Sequence, residues 1–243
     1  MSLDRPAPSQ LETLAAPSAL LFDLDGTLVD SRRDIAVACN AARADHGLPP
    51  LAFEEIMAMV GDGARLLVTR AFAFEALDPR DPKIDAALAS FSARYLAAPC
   101  VYTQLLPGAR ELIEDAARAK LRAAVVTNKP RDVTLAVLRT LGIEASFAMV
   151  WAGGDGPLKP APDGVLAAIA RLGAVASSTW MIGDGPQDIG AGKAAGCITI
   201  GIPGIAERAR LLSSAPDLVF ESLTALRETL HVALRPQSRA DLP

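Results

Sequence analysis

Asp23 and Asp25 stand two residues apart at the end of the apolar run Leu20-Leu21-Phe22, with Gly26 and Thr27 directly after them. Side chains alternate along a strand, so this spacing points both carboxylates to one side while Leu24 faces the other. Two acids at the end of a buried strand repel each other unless a cation neutralises part of the charge or one acid keeps its proton. That requirement suits a divalent metal ion and a phosphoryl-type substrate. An isolated Asp-x-Asp-Gly also fits an ordinary turn, because both residue types favour turn conformations.

Groups elsewhere in the chain bear on that choice. The run Val125-Val126 ends at Thr127-Asn128, where a hydroxyl and backbone amides ahead of a helix can donate to phosphate oxygens. Leu158-Lys159-Pro160-Ala161-Pro162 holds one lysine between turn formers, and a solvated loop lysine is the plain alternative to a restrained ammonium. Trp180-Met181-Ile182-Gly183-Asp184 reads as a buried strand delivering a third acid, and Asp188 follows at the start of a helix. Hard oxygen donors of this kind suit Mg²⁺. Asp184 fits a direct ligand, whereas Asp188 fits either the holder of a metal-bound water or the cap of its own helix.

The elements that would carry these residues follow from periodicity. From residue 107 onward helices and strands alternate: helices at 108–119, 131–141, 163–172, 188–195 and 223–234, with strands at 122–126, 147–151, 179–182 and 198–200 and an edge strand at 218–220. Such alternation predicts an α/β fold with a doubly wound parallel sheet, whose ligands sit at the carboxyl ends of the strands. Residues 32–104 lack a strand signal and read as four helices at 31–45, 53–59, 64–76 and 82–97, a compact insert with Phe72, Phe74, Phe91 and Tyr95 in its core. Ser31 and Asp34 look like a capping box for the first of them, each meeting a backbone amide. The expected organisation is a core of residues 17–31 and 105–235, an all-helical insert at 32–104, and loose tails at 1–16 and 236–243.

Composition narrows the function. The 243 residues carry 24 basic and 28 acidic side chains, a net charge of -4, with no dense basic cluster that would suggest a nucleic-acid groove. No apolar stretch approaches a membrane span. Cys39, Cys100 and Cys197 are widely spaced without a Cys-x-x-Cys pair or a secretory signal, which fits a reducing cytoplasm. His46 and His231 have no catalytic or ligand spacing around them and read as surface or helix-end residues, so acid–base work falls to carboxylates. The expected partner is a small-molecule phosphate ester, and the expected assembly a monomer or homodimer.

Phe22-Asp23-Leu24-Asp25-Gly26-Thr27-Leu28-Val29-Asp30-Ser31, Val126-Thr127-Asn128-Lys129-Pro130, Lys159-Pro160-Ala161-Pro162 and Gly183-Asp184-Gly185-Pro186-Gln187-Asp188 occur in the order of the four motifs of the haloacid dehalogenase superfamily. The chain resembles the phosphoglycolate phosphatase-like branch over most of residues 20–201. The resemblance implies a Rossmann-like core, with the helical insert as a cap that closes over the site. It implies Asp23 as the nucleophile that forms an aspartyl-phosphate and Asp25 as the acid and base. Mg²⁺ would be held by Asp23, the backbone carbonyl of Asp25 and Asp184, with Asp188 beside them. Thr127, the amide of Asn128 and Lys159 would bind the transferring oxygens, Lys159 also restraining the nucleophile, and Gly26 and Thr27 would be substrate-binding. Arg65 in the insert is a candidate for a substrate carboxylate, with a solvated helix-start arginine as the alternative.

Phosphoglycolate is the leading substrate on this resemblance, ahead of sugar phosphates, nucleotides or pyrophosphate. A phosphosugar mutase and a binding module without catalysis are the alternatives. A Schiff-base phosphonate hydrolase is disfavoured because the insert offers only Lys83 as an amine. The branch usually shows Gly-Asp-Ser-x-Asn-Asp in its last motif, a histidine where Ala161 stands, and a Tyr-Gly-Tyr-like run where this chain has Ile202-Pro203-Gly204-Ile205. Those departures leave the metal and nucleophile positions intact and open the question of the substrate.

Overall fold

The structure is a computed structural model in which residues 16–203 and 208–234 are described. The expected tails lie outside these residues, apart from Ala16. Strand β1 (Ala19–Phe22) is buried at every position. Leu20 and Phe22 join one apolar cluster while Ala19 and Leu21 join another. That alternation marks a strand covered on both faces.

β1 pairs in parallel with β4 (Arg122–Pro130) on one side and β6 (Thr179–Gly183) on the other. With β5 (Met149–Gly153), β7 (Ile198–Gly201) and β8 (Leu218–Val219), the sheet runs β5-β4-β1-β6-β7-β8, every pairing parallel. The chain builds outward from β1 through β4 to β5, then returns to β6 and builds the other way. The carboxyl end of β1 is therefore the point where strand order reverses, and crevices form there.

Helices α5 (Ala109–Arg118), α6 (Arg131–Thr140) and α10 (Leu223–Ala233) bury Leu112, Val137 and Leu226 in the cluster that contains Phe22. Helices α7 (Asp163–Leu172) and α8 (Pro186–Ala194) bury Val165 and Ala191 on the opposite face with Leu21. Each fully buried Leu, Val or Phe contributes about 1.5–3 kcal/mol. The two faces together hold the strand ends rigid.

Helices α1 (Arg32–Asp45), α2 (Phe53–Met57), α3 (Ala64–Ala71) and α4 (Pro82–Ala97) follow one another without an intervening strand. They leave and re-enter the core through a two-stranded antiparallel sheet, β2 (Val29–Asp30) with β3 (Gln104–Leu105). No hydrophobic periodicity announces strands of two residues, and the sequence reading lacks them. Ile35, Leu67, Phe91 and Tyr95 belong to the same apolar cluster as Phe22 and Leu112, so burial runs unbroken from the sheet face into the insert.

Several local expectations need correction. The Ser31 hydroxyl makes no helix cap and donates instead to Asp25 Oδ1 at 2.5 Å. Asp34 accepts from the amides of Val101, Tyr102 and Thr103 at 2.8–3.1 Å and from the Thr103 hydroxyl at 2.6 Å, which ties α1 to the returning chain. Helix α3 stops at Ala71, not near residue 76, because the buried Arg43 guanidinium takes the Ala71 carbonyl and Ala73 turns to φ 55°. A further helix, α9 (Arg208–Ser213), lies where no element is expected. Among the described residues no helix is long and apolar enough to cross a membrane.

Candidate active site

β1 ends at Phe22, and the next amide, that of Asp23, still bonds to the Ile182 carbonyl of β6 at 2.9 Å. The chain then turns at Gly26, whose φ of 86° favours glycine; a Cβ there would collide with the Asp184 carboxylate. Leu24 is fully buried, whereas Asp23 and Asp25 both line one cavity of about 540 Å³. The alternation expected from the sequence therefore survives past the last paired residue.

Asp184, just beyond the end of β6, and Asp188, at the start of α8, arrive at the same place. Ligand oxygens of Asp23, Asp184 and Asp188 lie within 4.8 Å of one another. Lys159 reaches in from the loop before α7 and spends all three ammonium protons there. Its Nζ donates to Asp23 Oδ1 at 2.7 Å, Asp188 Oδ1 at 2.6 Å and the Val126 carbonyl at 2.6 Å. Asp188 also accepts the Gly185 amide at 3.0 Å, so the same carboxylate caps its helix and belongs to the acidic cluster.

Three acids against one ammonium leave excess negative charge in a dehydrated place. Burial pushes the Asp23 carboxyl up to about 6, and the charges of Asp188 and Asp25 add to it while Lys159 opposes. Asp184 is raised well above the carboxylate range, again first by burial and then by Asp188 and Asp23. Burial works against the Lys159 ammonium, but Asp188 and Asp23 outweigh it and hold its pKa above the ordinary lysine value. A hard divalent cation fits this donor set, since it would neutralise the acids that Lys159 leaves unbalanced.

Thr127 and Asn128 line the cavity at the end of the straight part of β4. The Asn128 side chain is a brace: its Oδ1 accepts from the Lys159 amide at 2.8 Å, and its Nδ2 donates to the Lys159 carbonyl at 3.0 Å and the Gly61 carbonyl at 3.2 Å. Gly26 lines the cavity as well. Thr27 is a different case from the substrate contact expected of it. It is fully buried outside the lining and donates its hydroxyl to Asp184 Oδ1 at 3.3 Å, which orients that acid from behind.

Arg65 does not reach the cavity. Its guanidinium pairs with Asp85 and donates to the Pro79 carbonyl at 3.0 Å, fastening α3 to the start of α4. Lys83 is exposed on α4, away from the lining. His46 and His231 lie outside it too, His231 pairing with Asp115. The buried Cys39 and Cys197 thiols are pushed up to about 11 by burial, which leaves them inert.

Lys129 is the residue that sequence reasoning missed. Its side chain is 1% exposed, and its Nζ donates to Asp25 Oδ1 at 2.9 Å, to Asp25 Oδ2 at 3.0 Å and to the Tyr95 hydroxyl. Burial disfavours that ammonium, yet Asp25 and Tyr95 hold its pKa above the ordinary value. The Tyr95 hydroxyl is pushed up to about 12, chiefly by burial. One signal was available: Lys129 follows Thr127 by two positions, so a continued strand would aim both at one side. Tyr95, expected as insert core, is buried there and also lines the cavity. The insert touches the core again where Gln187 Nε2 donates to Asp62 Oδ1 at 2.5 Å, Asp62 itself being held by Arg70 at 2.7 Å.

Residues 17–196 match the family model for haloacid dehalogenase-like hydrolases. A phosphoglycolate phosphatase of Rhodospirillum rubrum is 37% identical over 220 residues, which span 88% of this chain and 91% of the relative. An N-acetylmuramic acid 6-phosphate phosphatase of Pseudomonas putida is 33% identical over 185 residues, spanning 76% and 82%. Among solved structures, one described as a predicted phosphoglycolate phosphatase from Haemophilus somnus superposes with a TM-score of 0.80 at 28% identity, covering 88% of this chain and 98% of that one. The order of the four motifs, the reversal of the sheet at β1 and these likenesses agree: the chain belongs to the haloacid dehalogenase-like hydrolases, in their phosphoglycolate phosphatase-like branch of phosphoric monoester hydrolases.

Proposed function

We propose that this enzyme is a Mg²⁺-dependent phosphatase that cleaves a small organic phosphomonoester through an aspartyl-phosphate on Asp23. The observation that carries the reading is the convergence of Asp23, Asp184 and Asp188 within 4.8 Å around one lysine. Asp23, the Asp25 carbonyl and Asp184 would hold the metal, with Asp188 beside them. When bound, Mg²⁺ supplies charge neutralisation for the phosphoryl oxygens and lets the Asp23 carboxylate meet an anionic substrate.

The rest of the chemistry belongs to the chain. Asp23 attacks phosphorus in line, its oxygen forming a new bond as the bond to the ester oxygen breaks. Lys159 holds the other side of that carboxylate at 2.7 Å and so fixes the direction of attack. Thr127 and the Asn128 amide face the transferring oxygens. Asp25 gives its proton to the leaving alkoxide, then takes one from the water that cleaves the acyl-phosphate bond and restores Asp23.

Ser31 suits that alternation. A hydroxyl donates to Asp25 Oδ1 when the acid is ionised and can accept from it when the acid is protonated. Lys129 has no such freedom and keeps its hold on the carboxylate in both halves of the cycle. The cavity is roofed by the insert, which helps to keep water from the acyl-phosphate until the alcohol has left.

The relatives' names cover more than one alcohol, a two-carbon acid in one and an amino sugar acid in another, so phosphoglycolate is the reference substrate to try first. The test is free phosphate release from the purified chain with and without Mg²⁺. Asp23→Asn should abolish release while circular dichroism stays unchanged. Undiminished turnover by that variant would rule out the covalent route, and activity that never frees phosphate would point to a mutase.

A further inference from the structure

The cavity extends well past the carboxylates, and the insert builds its outer wall. Ile35 from α1, Phe53 and Met57 from α2, Leu67 from α3 and Phe91 from α4 face it, all apolar. The insert brings one cation to the lining, Arg32, and Asp30 holds that guanidinium through both carboxylate oxygens, at 2.9 Å from Nε and 2.8 Å from Nη2. Its other charged lining residue is an acid, Glu54.

A second anionic group on the substrate would meet an apolar surface and a like charge there. Burying a carboxylate without a partner is costly, so this wall selects against one. The core offers little help. Lys159 is committed to Asp23 and Asp188, and Lys129 to Asp25. Arg210 lines the cavity from an exposed position on α9, where solvent screens its charge. A volume of about 540 Å³ falls within the range that encloses drug-sized ligands, whereas a phosphoryl group and a metal ion occupy only the carboxylate end.

Resting on the phosphatase reading above, the geometry points to a more specific substrate class. The site takes a phosphate monoester whose alcohol half is uncharged and carries an apolar body of several carbons, packed against Phe53, Met57 and Leu67. Phosphoglycolate, whose alcohol half is a two-carbon acid, is a poor substrate.

The experiment compares kcat/KM of the full chain with Mg²⁺ for 2-phenylethyl phosphate and for phosphoglycolate, both esters of aliphatic alcohols, with p-nitrophenyl phosphate as the activated control. The phenylethyl ester should lead by about tenfold or more. Met57→Arg, which sets a cation into the apolar wall, should lower turnover of the phenylethyl ester and raise that of phosphoglycolate. Met57→Ala guards against misfolding of the arginine variant and should weaken the phenylethyl ester more than phosphoglycolate. A preference of the unaltered chain for phosphoglycolate overturns the inference while the phosphatase reading stands. So does a selective loss of phosphoglycolate turnover in Arg210→Ala, or an equal change of both esters in the Met57 variants. Failure to cleave even p-nitrophenyl phosphate overturns both readings together.

Discussion

At the scale of single residues, the two lysines divide the site between them. Lys159 holds Asp23, the proposed nucleophile, and Lys129 holds Asp25, the proposed acid and base, and both ammonium groups are buried. Lys129→Met keeps most of the buried volume and removes the charge, leaving Asp25 with the Ser31 hydroxyl as its side-chain partner. On the proposed reaction, the hold on Asp25 beside the ester oxygen then loosens. The expected result is a fall in kcat of about 10²–10⁴-fold, the range contributed by positioned acid–base groups, with a small change in KM. Lys129→Arg should not rescue it, because a planar guanidinium cannot place donors on Asp25 and Tyr95 as an ammonium does. Steady-state kinetics alongside thermal melts would separate this effect from unfolding.

Among the elements, those with a strong period were legible and those defined by contacts were not. Strands β4, β6 and β7 and most helices follow from apolar spacing, and the parallel sheet follows from their alternation. The acids Asp23, Asp25 and Asp184 were readable because strand ends deliver them, and Asp188 because it opens the helix that follows. Arg65 stayed open between a substrate contact and a solvated helix start because a glycine-flanked arginine looks the same from sequence whether it faces a substrate or Asp85. Sequence distance also hid the partners of Asp34, which lie more than sixty residues away at the insert's return. That carboxylate satisfies three backbone amides and one hydroxyl at the base of the insert. Asp34→Ala should therefore destabilise the fold by about 2–4 kcal/mol, read as a lower denaturation midpoint in urea with an unchanged slope.

For the molecule as a whole, the same carboxylates that carry the proposed chemistry weaken the metal-free fold. Asp23 carries a folded-state pKa raised from 3.8 to about 6. A raised carboxyl pKa means that the folded chain holds its proton more tightly than the unfolded chain does. Stability from this group is complete below pH about 4 and is lost as pH rises to about 6, amounting to about 3 kcal/mol for a buried shift of that size. Asp184 shifts in the same direction and deepens the loss. In a chelating buffer the melting temperature should accordingly fall across that window, against the usual trend for salt-bridged carboxylates. Millimolar Mg²⁺ should reverse the fall at neutral pH by binding the ionised form, and the gain should grow with metal concentration. Asp23→Asn supplies the internal control, since an uncharged amide removes both the proton dependence at that position and one of the proposed metal ligands. Its melting temperature without metal should exceed that of the unaltered chain at pH 7, and its response to Mg²⁺ should shrink. A metal-free melting temperature that rises steadily from pH 4 to 6, equally in both proteins, would contradict the charge balance drawn from Asp23, Asp184, Asp188 and Lys159.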